Sequence, residues 1–320
     1  MSLASSDMTT YIETSRPQDL QAVGMAAGAM FLVGTLAAVS DVIQDYPLYG
    51  GQAVRYALAA AVLFAAAPRF SRLPSVRLTP RERVLLVLLS LTGLVLFNIC
   101  VIESARHAGP TLVGTVLGTV PLALALCAPI PALLSRTTPS APPARILVAA
   151  AVVVAGATLA TGLGSGNLAG LLWALGALAC EVCFSLLALP LLPKLGAIRV
   201  SAYSAALAVP VLLALGLVFD GTAMLRVPTL GEALGLGYLA LVVTTVAFFL
   251  WYSALPRLGP GKAGLFAGMI PVGAIGTGAV LGLGLPSAAD LLGAGLVIVG
   301  ILIGLRPESV RRRRRTVWGE

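Results

Sequence analysis

Residues 109–121 read GPTLVGTVLGTVP, and 150 positions further on residues 259–271 read GPGKAGLFAGMIP. The two stretches share one skeleton: Gly109 matches Gly259, Pro110 matches Pro260, Gly114 matches Gly264, Gly118 matches Gly268 and Pro121 matches Pro271. A skeleton repeated at nearly half the chain length points to an internal duplication. Its meaning depends on the solvent. Only 11% of the 320 residues are charged and 58% are hydrophobic, with a mean hydropathy of +0.97. A water-soluble domain carries about a quarter charged residues, so the composition places this chain in a lipid bilayer.

A helix needs roughly 17 to 25 apolar residues to cross about 30 Å of hydrocarbon. Such runs occur at 22–40, 47–66, 84–102, 111–134, 146–163, 168–190, 200–219, 234–255, 263–283 and 288–305. Lipid offers no partner to a free peptide group, so runs of this length must be helices. Barrel strands would be about half as long and would alternate in polarity. The expectation is an all-α integral membrane protein with ten transmembrane helices.

Residues 1–21 are polar and lack an apolar h-region, which predicts a cytosolic tail rather than a cleavable signal. The chain closes on RPESVRRRRRTVWGE, residues 306–320. This basic tail, 307–320, is expected to meet anionic lipid headgroups, not nucleic acid, because the rest of the chain is membrane. With the N-terminus inside, every one of the 21 basic residues except Arg55, Arg106 and Arg226 falls on the cytosolic side. That bias predicts cytosolic N- and C-termini.

Halving ten spans gives units of five, 22–163 and 164–306. Five is odd, so the second unit enters from the opposite face, an inverted-topology repeat. Gly114 and Gly118, like Gly264 and Gly268, are four apart and share a helix face open to close approach. Pro121 and Pro271 fall inside spans four and nine, where each is expected to remove a helix hydrogen bond and favour a kink. These six residues are the expected hinge and packing positions.

The resemblance rests on these features together with the second-span arginine in GQAVRYALAAAVL, residues 51–63, and the third-to-fourth span sequence ICVIESARHAGPTLVGTVLGTVPLALAL, residues 99–126. The chain resembles the EamA-type branch of the drug/metabolite transporter superfamily over residues 22–306. That resemblance implies small-molecule passage by alternating access through a central cavity, and many members resemble amino-acid or metabolite exporters of the bacterial inner membrane. It also implies a Gly-Glu pair near the ends of spans four and nine. Here those places read LLSRTTPS and GLGLPSAAD, with no glutamate in either.

A transporter needs few polar groups, placed where lipid makes them costly. Glu181, in ALACEVCFSLLALP at mid-span six, is the first candidate, since a central charge costs about 2.5–3.5 kcal/mol on insertion scales. Arg55 lies deep in span two and always keeps its proton, so it must be paired or hydrated. Ser185 is one turn beyond Glu181. Thr245, Phe248 or Phe249, and Tyr252 share a face of span eight by helical spacing, with Trp251 adjacent. Asn98 occupies the middle of span three, and Thr35 shares a face with Gly24 and Gly28.

The residue types suit an amino acid, Arg55 meeting its carboxylate, Glu181 its ammonium, and Trp251 and Tyr252 an apolar side chain. A cationic-drug exporter using Glu181 alone is the alternative. A channel would leave the inverted repeat without its usual purpose. A membrane enzyme would need a nucleophile or metal cluster, and CEVC, residues 180–183, has only His107 to join it, so neither metal nor cofactor is expected. GLGSGN, residues 162–167, follows no strand and reads as a turn.

Overall fold

The computed structural model describes residues 17–36, 39, 41–43, 45–70, 77–130, 142–162, 167–282 and 287–306, and within them every regular element is helical. The N-terminal tail before residue 17, the LLSRTTPS segment, most of the GLGSGN turn and the C-terminal arginine run lie outside the described residues. The helices are α1 (Pro17–Gly34), α2 (Leu48–Phe70), α3 (Pro80–Ser90), α4 (Phe97–Leu117), α5 (Val120–Cys127) and α6 (Ala144–Thr161). They continue as α7 (Leu168–Ala188), α8 (Leu192–Phe219), α9 (Leu230–Tyr238), α10 (Ala247–Leu265), α11 (Met269–Val280) and α12 (Ala288–Leu305).

Two wide π-helical segments, π1 (Leu91–Leu96) and π2 (Leu239–Val246), fuse α3 to α4 and α9 to α10. Among the described residues six apolar helical stretches are long enough to cross a membrane, and three shorter ones lie at Leu20–Gly34, Leu112–Cys127 and Ala144–Ala160. One of the six, Leu230–Val280, has 51 residues. As a straight helix it would extend about 76 Å, more than twice the hydrocarbon thickness. It is not straight: Gly259 takes φ 73° and ψ 156°, which ends one helix and starts the next.

Polar residues start the helices. Thr79 accepts from the Glu82 amide while Glu82 accepts from the Thr79 amide, and Thr229 and Glu232 repeat this capping box. The two boxes are 150 positions apart, the spacing of the glycine skeletons, and π1 and π2 end at Leu96 and Val246 with the same spacing. Ser287 and Asp290 cap α12, and Asn167 caps α7.

The prolines differ from expectation. Helix α4 ends at Leu117, residues 118 and 119 form a turn, and Pro121 enters the first turn of α5. In the second half α10 ends at Leu265, a 3-10 turn spans Phe266–Gly268, and Pro271 is in the first turn of α11. A first-turn N–H has no partner in its own helix, so neither proline removes a bond from a continuous helix. The interruption precedes each proline.

The most extensive helix pairs are α6 with α12, α2 with α8, α4 with α7, and α1 with α10. Glycines set the first: a Cβ on Gly156 would lie 2.7 Å from the Gly293 carbonyl oxygen, and one on Gly300 would lie 2.7 Å from a Val153 methyl, so α6 and α12 run antiparallel. Helices α2 and α8 also run antiparallel, with Gly216 against Tyr49 at one end and Leu63, Ala67, Ile198 and Ala202 clustered at the other. The repeated skeleton packs on side chains. A Cβ on Gly264 would be 2.8 Å from the Leu124 Cβ, one on Gly268 2.4 Å from Val153, and one on Gly118 3.3 Å from the Ala157 Cβ. The Gly114 carbonyl accepts the Gly118 amide.

Candidate substrate site

Helix α2 brings three polar side chains inward in consecutive turns: Gln52, Arg55 and Tyr56. Arg55 is buried, 6% exposed, although it carries a permanent charge. Its Nε donates to Thr244 Oγ1 at 2.7 Å, its Nη1 donates to Gln52 Oε1 at 3.3 Å, and its guanidinium carbon lies 5.2 Å from the centre of the Tyr56 ring. Neither hydrogen bond engages Nη2. The partners are neutral. Among the described residues the ion pairs are Arg106 with Glu103, Lys194 with Glu82 and Arg226 with Glu232, and Arg55 is in none of them.

The π-segments supply both groups that hold this stretch of α2. In π2 the Thr244 hydroxyl donates to the Leu239 carbonyl, five residues back, at 2.9 Å. That leaves its oxygen to accept from Arg55. Just beyond π1, Asn98 donates through Nδ2 to the Tyr56 hydroxyl at 3.1 Å and to the Leu94 carbonyl. A π-turn frees or shifts backbone carbonyls that an α-helix would use. Each half of the chain thus reaches α2 with one polar side chain fixed by its own widened turn.

Helix α7 contributes a separate aromatic wall. The Phe184 ring lies 5.0 Å from both Phe248 and Tyr252, centroid to centroid, and the Tyr252 hydroxyl donates to the Phe184 carbonyl at 3.4 Å. Phe184 also seats on Gly93 in π1, where a Cβ would fall 2.5 Å from the ring. Glu181 sits one turn before Ser185 on α7, half-buried, and has no basic partner among the described residues. Arg55 and Glu181 therefore do not form an ion pair.

Several sequence candidates take positions other than those expected. Thr245 bonds back to the Ala240 carbonyl at 2.8 Å, and its neighbour Thr244 is the one that meets Arg55. Trp251 is 2% exposed and Tyr252 1%, so neither offers an open contact surface, and the half-buried rings beside them are Phe248 and Phe249. Ser185 is wholly buried, and its hydroxyl and the Trp251 indole N–H have no hydrogen-bond partner. Thr35 bonds to the Tyr238 hydroxyl at 2.8 Å, joining α1 to α9. Gln52, Tyr56, Thr244 and Phe184 are the members that sequence reasoning did not single out.

Just before the start of α2, Arg226 lies 4.9 Å from the Tyr46 ring centre and donates to the Asp45 carbonyl and to Glu232, while Tyr46 donates to the Arg226 carbonyl. No group of three or more His, Cys, Asp or Glu side chains among the described residues is placed to hold a metal.

With this geometry in view, the likenesses to known proteins become specific. Residues 168–306 match the model of the EamA-like transporter family. Over that second half the chain is similar to the EamA-like transporters. It is 27% identical over 257 residues to YetK of Bacillus subtilis (strain 168), an uncharacterized transporter, covering 78% of this chain and 76% of YetK. A crystal structure of a protein 18% identical in sequence shares the fold at a TM-score of 0.75, covering 91% of this chain and 98% of that one. Both named likenesses are to transporters, and the long apolar helices suit a multi-pass membrane protein that carries small molecules.

Proposed function

We propose that this protein is an EamA-type exporter of amino acids in the bacterial inner membrane, in which Arg55 receives the substrate carboxylate and Glu181 its ammonium. The observation that carries the reading is the buried guanidinium held by two neutral acceptors with Nη2 unengaged. A guanidinium without a counter-charge in a protein interior is costly, and a bound carboxylate offsets that cost with charge-assisted hydrogen bonds. Glu181, unpaired on α7, offers the opposite charge. Phe248 offers a face to an apolar or aromatic side chain.

The architecture proposed for this cycle has ten membrane helices in two inverted five-helix units, 22–163 and 164–306. Three features support it. The capping boxes and the ends of the π-segments recur 150 positions apart, and a helix interruption follows in each half. Helices that correspond between the halves, α2 with α8 and α6 with α12, pack on each other antiparallel. The pair α4 with α7 corresponds to the pair α10 with α1, as a two-fold relation between halves requires. The interruptions at 118–119 and 266–268 are the proposed hinges of alternating access. The basic C-terminal tail holds the cytosolic face to anionic lipid.

A second reading, a proton-coupled exporter of cationic drugs, is favoured by the absence of a basic partner for Glu181. Counterflow in proteoliposomes tests the first reading: vesicles loaded with L-leucine should take up labelled L-leucine, as a carrier does and a channel does not. Arg55→Gln should lower that exchange at least about tenfold through KM, the value of one charge-assisted bond. Wild-type exchange in Arg55→Gln would remove Arg55 from the site.

A further inference from the structure

The two halves of this chain contain an internal control for the hydroxyl that touches Arg55. Thr244 in π2 corresponds to Leu94 in π1 by the shared spacing of 150 positions, and Leu94 is a fully buried apolar residue in a π-turn that forms with no hydroxyl at that position. Thr92, elsewhere in π1, does carry a hydroxyl, which bonds back to the Leu88 carbonyl, but the position equivalent to 244 carries none, so the turn does not need a hydroxyl there. A buried hydroxyl is costly in an apolar interior unless it is bonded, and this one is bonded twice, donating to Leu239 and accepting from Arg55 Nε. Donation to a backbone carbonyl fixes the oxygen's orientation, so its remaining lone pairs face α2.

We propose that Thr244 is a positioning residue for transport: it clamps the Nε edge of Arg55 from the second half of the chain and so presents Nη2, with the second Nη1 hydrogen, to a substrate carboxylate. The inference rests on the carboxylate reading of Arg55 given above. A guanidinium binds a carboxylate best through two parallel donors, and an arginine side chain with several rotatable bonds must be held in one rotamer to offer them. Gln52 holds Nη1 from the same helix, three residues away. Thr244 is the holder that comes from another helix, so it also ties the orientation of Arg55 to the position of π2 relative to α2.

Valine keeps the shape of threonine and removes the hydroxyl, while serine keeps the hydroxyl. In proteoliposomes of the full chain, Thr244→Val should raise the KM for labelled L-leucine exchange about tenfold with kcat nearly unchanged. Competition by L-leucinamide, which lacks the carboxylate, should stay as in the wild type, and Thr244→Ser should restore the leucine KM. A loss confined to kcat, or equal losses for leucine and leucinamide, would overturn the proposal.

A second measurement needs no substrate. Phenylglyoxal modifies accessible guanidinium groups, and its reaction with Arg55, followed by mass spectrometry on purified protein, should be faster in Thr244→Val and return to the wild-type rate in Thr244→Ser. Equal rates in all three proteins would overturn the clamp. Faster labelling of Thr244→Val without leucine exchange in any protein would support the clamp and count against the carboxylate reading alone.

Discussion

Glu181 and Arg55 are the two charges deep within the apolar spans, and they occupy different surroundings: Arg55 is enclosed by neutral acceptors, Glu181 is half-buried beside an aromatic wall. Because they do not pair, removing one does not strand the other. Glu181→Gln should therefore express like the wild type, and adding Arg55→Gln should rescue nothing. If Glu181 recognises an ammonium, Glu181→Gln should weaken exchange of L-leucine about tenfold and leave N-acetyl-L-leucine, which has no ammonium, unaffected. If it carries a proton instead, exchange should survive and uphill export should stop, since glutamine keeps the hydrogen bonds but does not titrate. Both charges were legible in the sequence because a charge in an apolar run stands out. Thr244 was not. Threonines 244 and 245 are adjacent, the ordinary helical period selects 245, and the widened turn of π2 turns 244 toward Arg55 instead. Phe184 looks like any apolar residue of a lipid-spanning helix until its ring is seen packed against Phe248 and Tyr252.

Apolar length located the helices well, and α12 matches its predicted bounds, 288–305. The third span shows where length alone falls short. Its apolar run begins near 84, but the helix begins at Pro80, because the Thr79–Glu82 capping box starts it in polar sequence. Proline chemistry was legible as an interruption of spans four and nine, though not its register, since a proline is as compatible with the first turn of a new helix as with a kink. The placement changes the expected mutational result. Pro121→Ala and Pro271→Ala should each alter stability by no more than about 1 kcal/mol, as no helix bond is regained. Gly273→Ala should do more. Its Cβ would lie 2.2 Å from the Phe31 carbonyl oxygen, and a Cβ on Gly34 would lie 2.1 Å from the Ile270 carbonyl oxygen, so α1 and α11 meet backbone to backbone. Overpacking of this kind costs about 1–3 kcal/mol. Thermal unfolding in detergent should rank Gly273→Ala well below either proline variant, and the opposite order would contradict the placement of the interruptions.

The molecule as a whole was legible to the extent that one skeleton is written twice. What the sequence does not display is how unlike the two copies have become at their polar positions. Arg55, Gln52 and Tyr56 in α2 correspond to Ala205, Ala202 and Ala206 in α8, and Thr244 corresponds to Leu94. The backbone repeats while the site does not, so one half carries the guanidinium and the other half holds it in place. The account depends on the two halves being inverted about that site. Positions 150 apart must then lie on opposite faces of the membrane. Arg77 and Val227 form one such exposed pair, Arg106 and Pro256 another. The decisive measurement replaces each singly with cysteine, in a chain whose four native cysteines are alanine, and labels sealed vesicles of known orientation with a membrane-impermeant thiol reagent. The account predicts labelling from the cytosolic face at positions 77 and 256 and from the outer face at 106 and 227. Labelling of both members of either pair from the same face would contradict it.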